Sequence, residues 1–130
     1  MSFIKIKLDP SYGDYSYQNG SGIKMDILGI FLSSDVSCKL YQSYPSWQEW
    51  ALNDKLGMGT SGNITILEKE GDYIFLSDMC SQEEDPTELK MSRRQFVQLL
   101  DEWQEKVCKK LPKEVTITYE NDKYIIETVD

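Results

Sequence analysis

Apolar and basic residues alternate in the opening FIKIKL, Phe3 to Leu8, the period-two pattern of a half-buried strand, and Pro10 ends it. The next segment, SYGDYSYQNGSG from Ser11 to Gly22, sets tyrosines among Gly, Ser, Asn and Asp and predicts a long exposed loop. IKMDILGIFL, Ile23 to Leu32, is apolar enough for an interior strand, with Gly29 as a bulge position. In YPSWQEWALNDKLG, Ser46 and Glu49 have capping-box spacing. A short helix is therefore expected from near Trp47 to Gly57, with Trp47, Trp50 and Ala51 on its buried face.

The glycines of GMGTSG (Gly57, Gly59, Gly62) invite a phosphate-loop reading, but the Lys-Ser/Thr pair that such a loop needs is replaced by Asn63 and Ile64. A flexible turn fits better. NITILEKEGDYIFLSD reads as two strands joined at Glu70-Gly71-Asp72, and TELKMS adds a short strand. The strongest helical signal is SRRQFVQLLDEWQEKVCKK. Ser92 and Gln95 form a capping box, Met91 and Phe96 take staple positions, and Phe96, Leu99, Leu100, Trp103 and Val107 lie on one face. Lys106, Lys109 and Lys110 suit the negative end of that helix, and Pro112 stops it. The closing EVTITYENDKYIIETV predicts a hairpin turning at Asn121-Asp122, which sets Tyr119 opposite Tyr124, Ile117 opposite Ile126 and Val115 opposite Thr128. Hairpins without βαβ alternation predict an α+β fold: one domain over residues 1–130, a largely antiparallel sheet carrying one long and one short helix.

Charge then narrows the partners. The chain holds 14 Lys+Arg against 22 Asp+Glu, a net −8, which repels phosphate backbones and anionic lipid. Neither nucleic acid nor a membrane is an expected partner. Cys38, Cys80 and Cys108 make no CxxC pair and no disulfide lattice, and the opening MSFIKIKLDP has no signal-peptide core. Both features predict a reducing cytoplasm, with Cys108 a small buried hydrophobe.

The chain has no histidine, so the commonest general base and metal ligand is missing. A cysteine nucleophile would need a cation such as Lys39 beside Cys38 or Lys109 beside Cys108. Carboxylate pairs, Asp72 with Asp78 or Glu83 with Asp85, could flank a sugar bond or hold a divalent ion, but their spacing matches no EF-hand loop. No cofactor and no catalytic site is expected. The dense acids of CSQEEDPTEL (Glu83, Glu84, Asp85 and Glu88) repel one another and give the fold nothing, so their plain role is a solvated turn at Pro86. Set beside the overall acidity they also suit a basic protein partner. Candidate binding residues are these four, Asp72, Tyr73 and Asp78 nearby, and Tyr12, Tyr15 and Tyr17 as adhesive aromatics.

The stretch LKMSRRQFVQLLDEWQEKVCKKLPKEVTITYENDKYIIET, Leu89 to Thr128, resembles the strand–helix–hairpin endings of small bacterial immunity proteins, the antidotes of contact-dependent growth inhibition and related polymorphic toxin systems. The resemblance covers about a third of the chain and lies in the RRQFVQLLDEW helix and the PKEVTITYENDKYIIE hairpin. It implies a cytoplasmic, non-enzymatic protein that binds one cognate toxin domain, often a nuclease, and transfers no binding residues. Two other readings stay open: an adaptor that pairs an exposed strand with a subunit or peptide, and a small enzyme using carboxylates. The sequence leaves oligomeric state undetermined.

Overall fold

The apolar stripe of the long helix forms as its spacing predicts. In a computed structural model that describes residues 2–36, 38 and 44–130, helix α3 spans Arg93–Trp103 and continues in wider π turns over Gln104–Cys108. Phe96, Leu99, Leu100, Trp103 and Val107 are all buried. Each such side chain contributes about 1.5–3 kcal/mol relative to exposure. The capping box closes both ways: Ser92 Oγ accepts the Gln95 N–H at 3.0 Å, and Gln95 Oε1 accepts the Ser92 N–H at 2.8 Å.

Eight strands and three α-helices among the described residues make an α+β fold. The strands form two antiparallel four-stranded sheets where the pattern predicted one. The first has the order β2-β1-β7-β8, with β1 at Ser2–Asp9, β2 at Asp14–Gly20, β7 at Glu114–Glu120 and β8 at Lys123–Val129. The second runs β3-β4-β5-β6, with β3 at Gly59–Ser61, β4 at Thr65–Glu70, β5 at Tyr73–Asp78 and β6 at Glu88–Ser92. Gly71 takes positive φ in the tight β4–β5 turn. The β7–β8 register is the predicted one, Tyr119 on Tyr124, Ile117 on Ile126 and Val115 on Thr128. Asn121 and Asp122 both adopt the left-handed region there, at φ 51° and 65°, as a two-residue type I′ turn requires.

Four expectations are corrected. The tyrosine-rich segment is no long loop: after a turn at Asp9 to Gly13 it becomes edge strand β2, paired to β1. Its tyrosines supply the pleated, half-buried side chains that a strand needs. GMGTSG contains strand β3, which pairs with β4. Ile23–Ile30 is helix α1, extended by π turns over Phe31–Val36, and not an interior strand. Its buried residues Met25, Ile27, Leu28, Phe31, Leu32 and Val36 recur at three and four. The helix touches β1 and β2 of one sheet and β5 and β6 of the other, so apolar residues surround more than one face and blur the period. Cys38 and Cys108 form a disulfide with Cα atoms 5.1 Å apart, which leaves Cys80 free and exposed. Cysteines 70 positions apart carry no pairing signal in a sequence.

Helix α2 occupies Tyr44–Leu52, starting ahead of the expected Ser46 cap, whose side chain lies outside the described residues. A 3₁₀ turn, Asp54–Leu56, follows, and Gly57 at φ 91° ends it. The C-terminal carbonyls of α2 meet two cations. Lys69, fully buried on β4, donates to Trp50 O and to Asn53 O at 3.0 Å, and Arg93 donates to Ala51 O at 3.2 Å. Such donors are favoured at a helix C-terminus. Burial nevertheless holds the Lys69 ammonium below its usual pKa, with Arg93 adding to that and Asp54 opposing it. A single core joins both sheets and all three helices. Phe31 lies 5.2 Å from Trp47 and 5.9 Å from Phe96, and Trp103 meets Tyr15 edge-on at 5.8 Å.

Candidate functional site

A cleft opens where the first turns of α1 face the connection between β5 and β6. Its floor is apolar: Ile23, Ile27 and Ile30 on successive turns of α1, with Ile64 and Pro86 across from them. The polar lining is Asp26, Asp78 and Glu83, together with Thr65, Ser81 and Thr87. Three carboxylates thus rim about 280 Å³ with no Lys or Arg among the lining residues. None of the three forms an ion pair among the described residues.

Local structure positions each acid. Asp78 ends β5 opposite Thr65, and its Oδ1 accepts the Cys80 N–H at 2.8 Å, which starts the turn. The Glu83 N–H donates to Ser81 Oγ at 3.3 Å. Such local bonds from short polar side chains turn the chain without regular structure. Asp26, in the first turn of α1, accepts the Tyr17 hydroxyl. Burial, that hydrogen bond and the Asp26 charge push the Tyr17 phenol well above its ordinary range. The ring of Tyr17 lies where a side chain on Gly29 would be, and its hydroxyl lies against Gly20. Gly29 is thus no bulge; its hydrogen makes room for Tyr17.

The predicted binding residues separate into groups. Asp78 and Glu83 meet at the cleft, with exposed Glu84 and Asp85 beside them in the same connection. Glu88 lies on β6 and Tyr73 on β5, both on the outward face of the second sheet, where Glu88 pairs with Ser77 and Phe75 with Lys90. Lys90 Nζ lies 4.1 Å from the Tyr73 ring centroid. Asp72 sits in the β4–β5 turn, where its carbonyl accepts the Arg93 N–H at 2.9 Å. Tyr12 is 72% exposed in the β1–β2 turn. Tyr15 is corrected outright: it is buried, and its hydroxyl donates to Pro112 O at 2.6 Å. Burial and then the Asp14 charge push its phenol up to about 12. Tyr17 is half-buried and engaged with Asp26, so neither forms an adhesive loop with Tyr12.

Residue-by-residue reading missed Asp26 and the isoleucine floor. The i, i+4, i+7 spacing of Ile23, Ile27 and Ile30 was the signal available, and the strand assignment concealed it. Among the described residues, no His/Cys/Asp/Glu group has the arrangement to hold a metal ion, and no helix is long and apolar enough to cross a membrane. The backbone N–H groups just after GMGTSG do hold a carboxylate, but an internal one. Asp35 carboxylate oxygens accept from Asn63, Ile64 and Thr65 at 2.7, 3.1 and 3.0 Å. Comparison of the chain with protein families, curated proteins and solved structures finds no match.

Proposed function

We propose that this protein is an immunity protein, which binds a cognate bacterial toxin domain and neutralises it without a reaction of its own. A nuclease is the expected toxin, because a nuclease presents a basic surface to its substrate. The observation that carries the reading is the acid-rimmed cleft and the connection beside it: Asp26, Asp78, Glu83, Glu84 and Asp85 gather at one end of the second sheet with no cation lining the cleft. Like charges without a cation beside them repel one another in the free protein, whereas complementary charge speeds encounter and fixes register with a basic partner. The net charge of −8 acts in the same direction, and the absence of histidine argues against acid–base chemistry near neutral pH. The β6–α3–β7–β8 order keeps the strand–helix–hairpin arrangement on which the resemblance rests.

An antidote of this kind acts in the cytoplasm. The Cys38–Cys108 bridge belongs to oxidising conditions, so in the cell both residues are expected as thiols. The reading expects a gene immediately upstream whose product ends in a toxin domain, and co-expression with that domain tests it. Restored growth together with recovery of a one-to-one complex supports it, and killing that continues with no complex formed refutes it. A second reading, an adaptor that accepts a partner strand, draws on β8. This strand lies at the edge of the first sheet with Ile125 and Val129 exposed.

A further inference from the structure

We infer that the cleft between α1 and the β5–β6 connection is a socket for one arginine side chain of the bound protein. The inference rests on the partner-binding reading and names the group that this site would take. Three properties of the cleft meet in that choice. Its volume, about 280 Å³, falls just below the range for small-molecule sites, which suits a side chain better than a cofactor. Its floor, Ile23, Ile27, Ile30 and Ile64, matches an aliphatic stem. Its rim offers Asp78 and Glu83, carboxylates without a salt bridge among the described residues.

Arginine joins an apolar stem to a planar, weakly hydrated cation that carboxylates bind through two N–H groups. A neutral apolar side chain would leave the carboxylates partly desolvated with nothing to pair them, which is costly. An acidic one would be repelled. Asp26 is already held by Tyr17, so it fixes the wall of the socket while Asp78 and Glu83 meet the guanidinium. Ile23, 58% exposed, is then covered on binding.

The probe is N-acetyl-arginine methylamide, titrated into the intact protein and followed by the isoleucine methyl resonances, with N-acetyl-norleucine methylamide as the neutral comparison. Saturable shifts of the Ile23, Ile27, Ile30 and Ile64 methyls with the arginine compound alone are expected. The double variant Asp78→Asn, Glu83→Gln keeps the acceptor for the Cys80 N–H and should weaken that binding about fivefold or more. Glu120→Gln with Glu127→Gln, exposed on the first sheet and outside the lining, should bind as the native chain does. Equal shifts with norleucine, no isoleucine shifts, or equal losses in both variants would overturn the socket. The upstream toxin domain separates the levels: a complex that forms as tightly with the Asp78→Asn, Glu83→Gln variant removes the socket and leaves the immunity reading standing.

Discussion

The carboxylate of Asp35 packs against Gly62 so closely that a methyl group on that glycine would lie 2.5 Å from Asp35 Cγ. The same carboxylate accepts three successive backbone N–H groups just beyond the glycine, so the last turns after α1 are fastened to the start of β4. Gly62→Ala should destabilise the protein by about 1–3 kcal/mol through overpacking. Asp35→Ala should cost about the same or more by leaving buried donors unpaired. Because Asp35→Ala also empties the space, the two losses should add to less than their sum in the double variant. Urea unfolding of the four proteins measures this, and full additivity would show that the two sites act independently.

Trp103 is fully buried and meets Tyr15 edge-on. Trp103→Ala is expected to cost about 3–5 kcal/mol, and Ser92→Ala, which removes half of the capping box, about 1 kcal/mol. Equal melting temperatures for the two variants would contradict this ordering.

The Cys38–Cys108 bridge closes a long loop between the segment after α1 and the end of α3. Its reduction should lower stability by about 3–5 kcal/mol, the usual effect for a loop of that length. The oxidised native protein should show one reactive thiol, Cys80, and three after reduction and unfolding. Acid-quenching of intact cells followed by alkylation of the denatured protein should modify all three if the protein resides in the cytoplasm. Two protected cysteines in that experiment would move it to an oxidising compartment.

Alkaline pH should loosen the fold through its tyrosines. Tyr15 holds its proton up to about 12, above the ordinary 10.0, so its contribution is intact below pH 10 and is lost as pH rises towards 12. Lys69 acts in the opposite sense: its lowered pKa lets stability rise with pH up to 10.5, where the unfolded lysine also loses its charge. Above pH 10.5 the tyrosine effect therefore stands alone. Tyr15→Phe should be less stable at pH 7, lacking the bond to Pro112, yet show a shallower decline between pH 10.5 and 12. An unchanged slope would mean that Tyr15 does not contribute to the alkaline loss.

The β4–β5 and β7–β8 hairpins and the cap of α3 were legible in the sequence because their signals are local. Asn121-Asp122 tolerates positive φ at both turn positions and thereby sets every pair from Glu120 on Lys123 to Glu114 on Val129. Ser92 and Gln95 fix the start of α3 within four residues. Where tertiary surroundings decide, the pattern misled. Ile23 to Leu32 packs against both sheets, and such an apolar run reads equally as a strand until its partners are known. Asp78 and the run Glu83 to Asp85 were visible in the sequence. Asp26 and the isoleucines beside it were not, because they belong to that misread helix.

The central claim is that the acidic end of the second sheet receives a basic protein. Stopped-flow association with the toxin domain encoded upstream, over a series of salt concentrations, tests it most directly. The native rate should fall steeply as salt rises, since exposed charges are screened within about 10 Å at 0.1 M. Glu83→Lys, Glu84→Lys and Asp85→Lys together should leave unfolding nearly unchanged, slow association at low salt by roughly tenfold or more, and flatten the salt dependence. An association rate that neither salt nor this reversal alters would contradict the account.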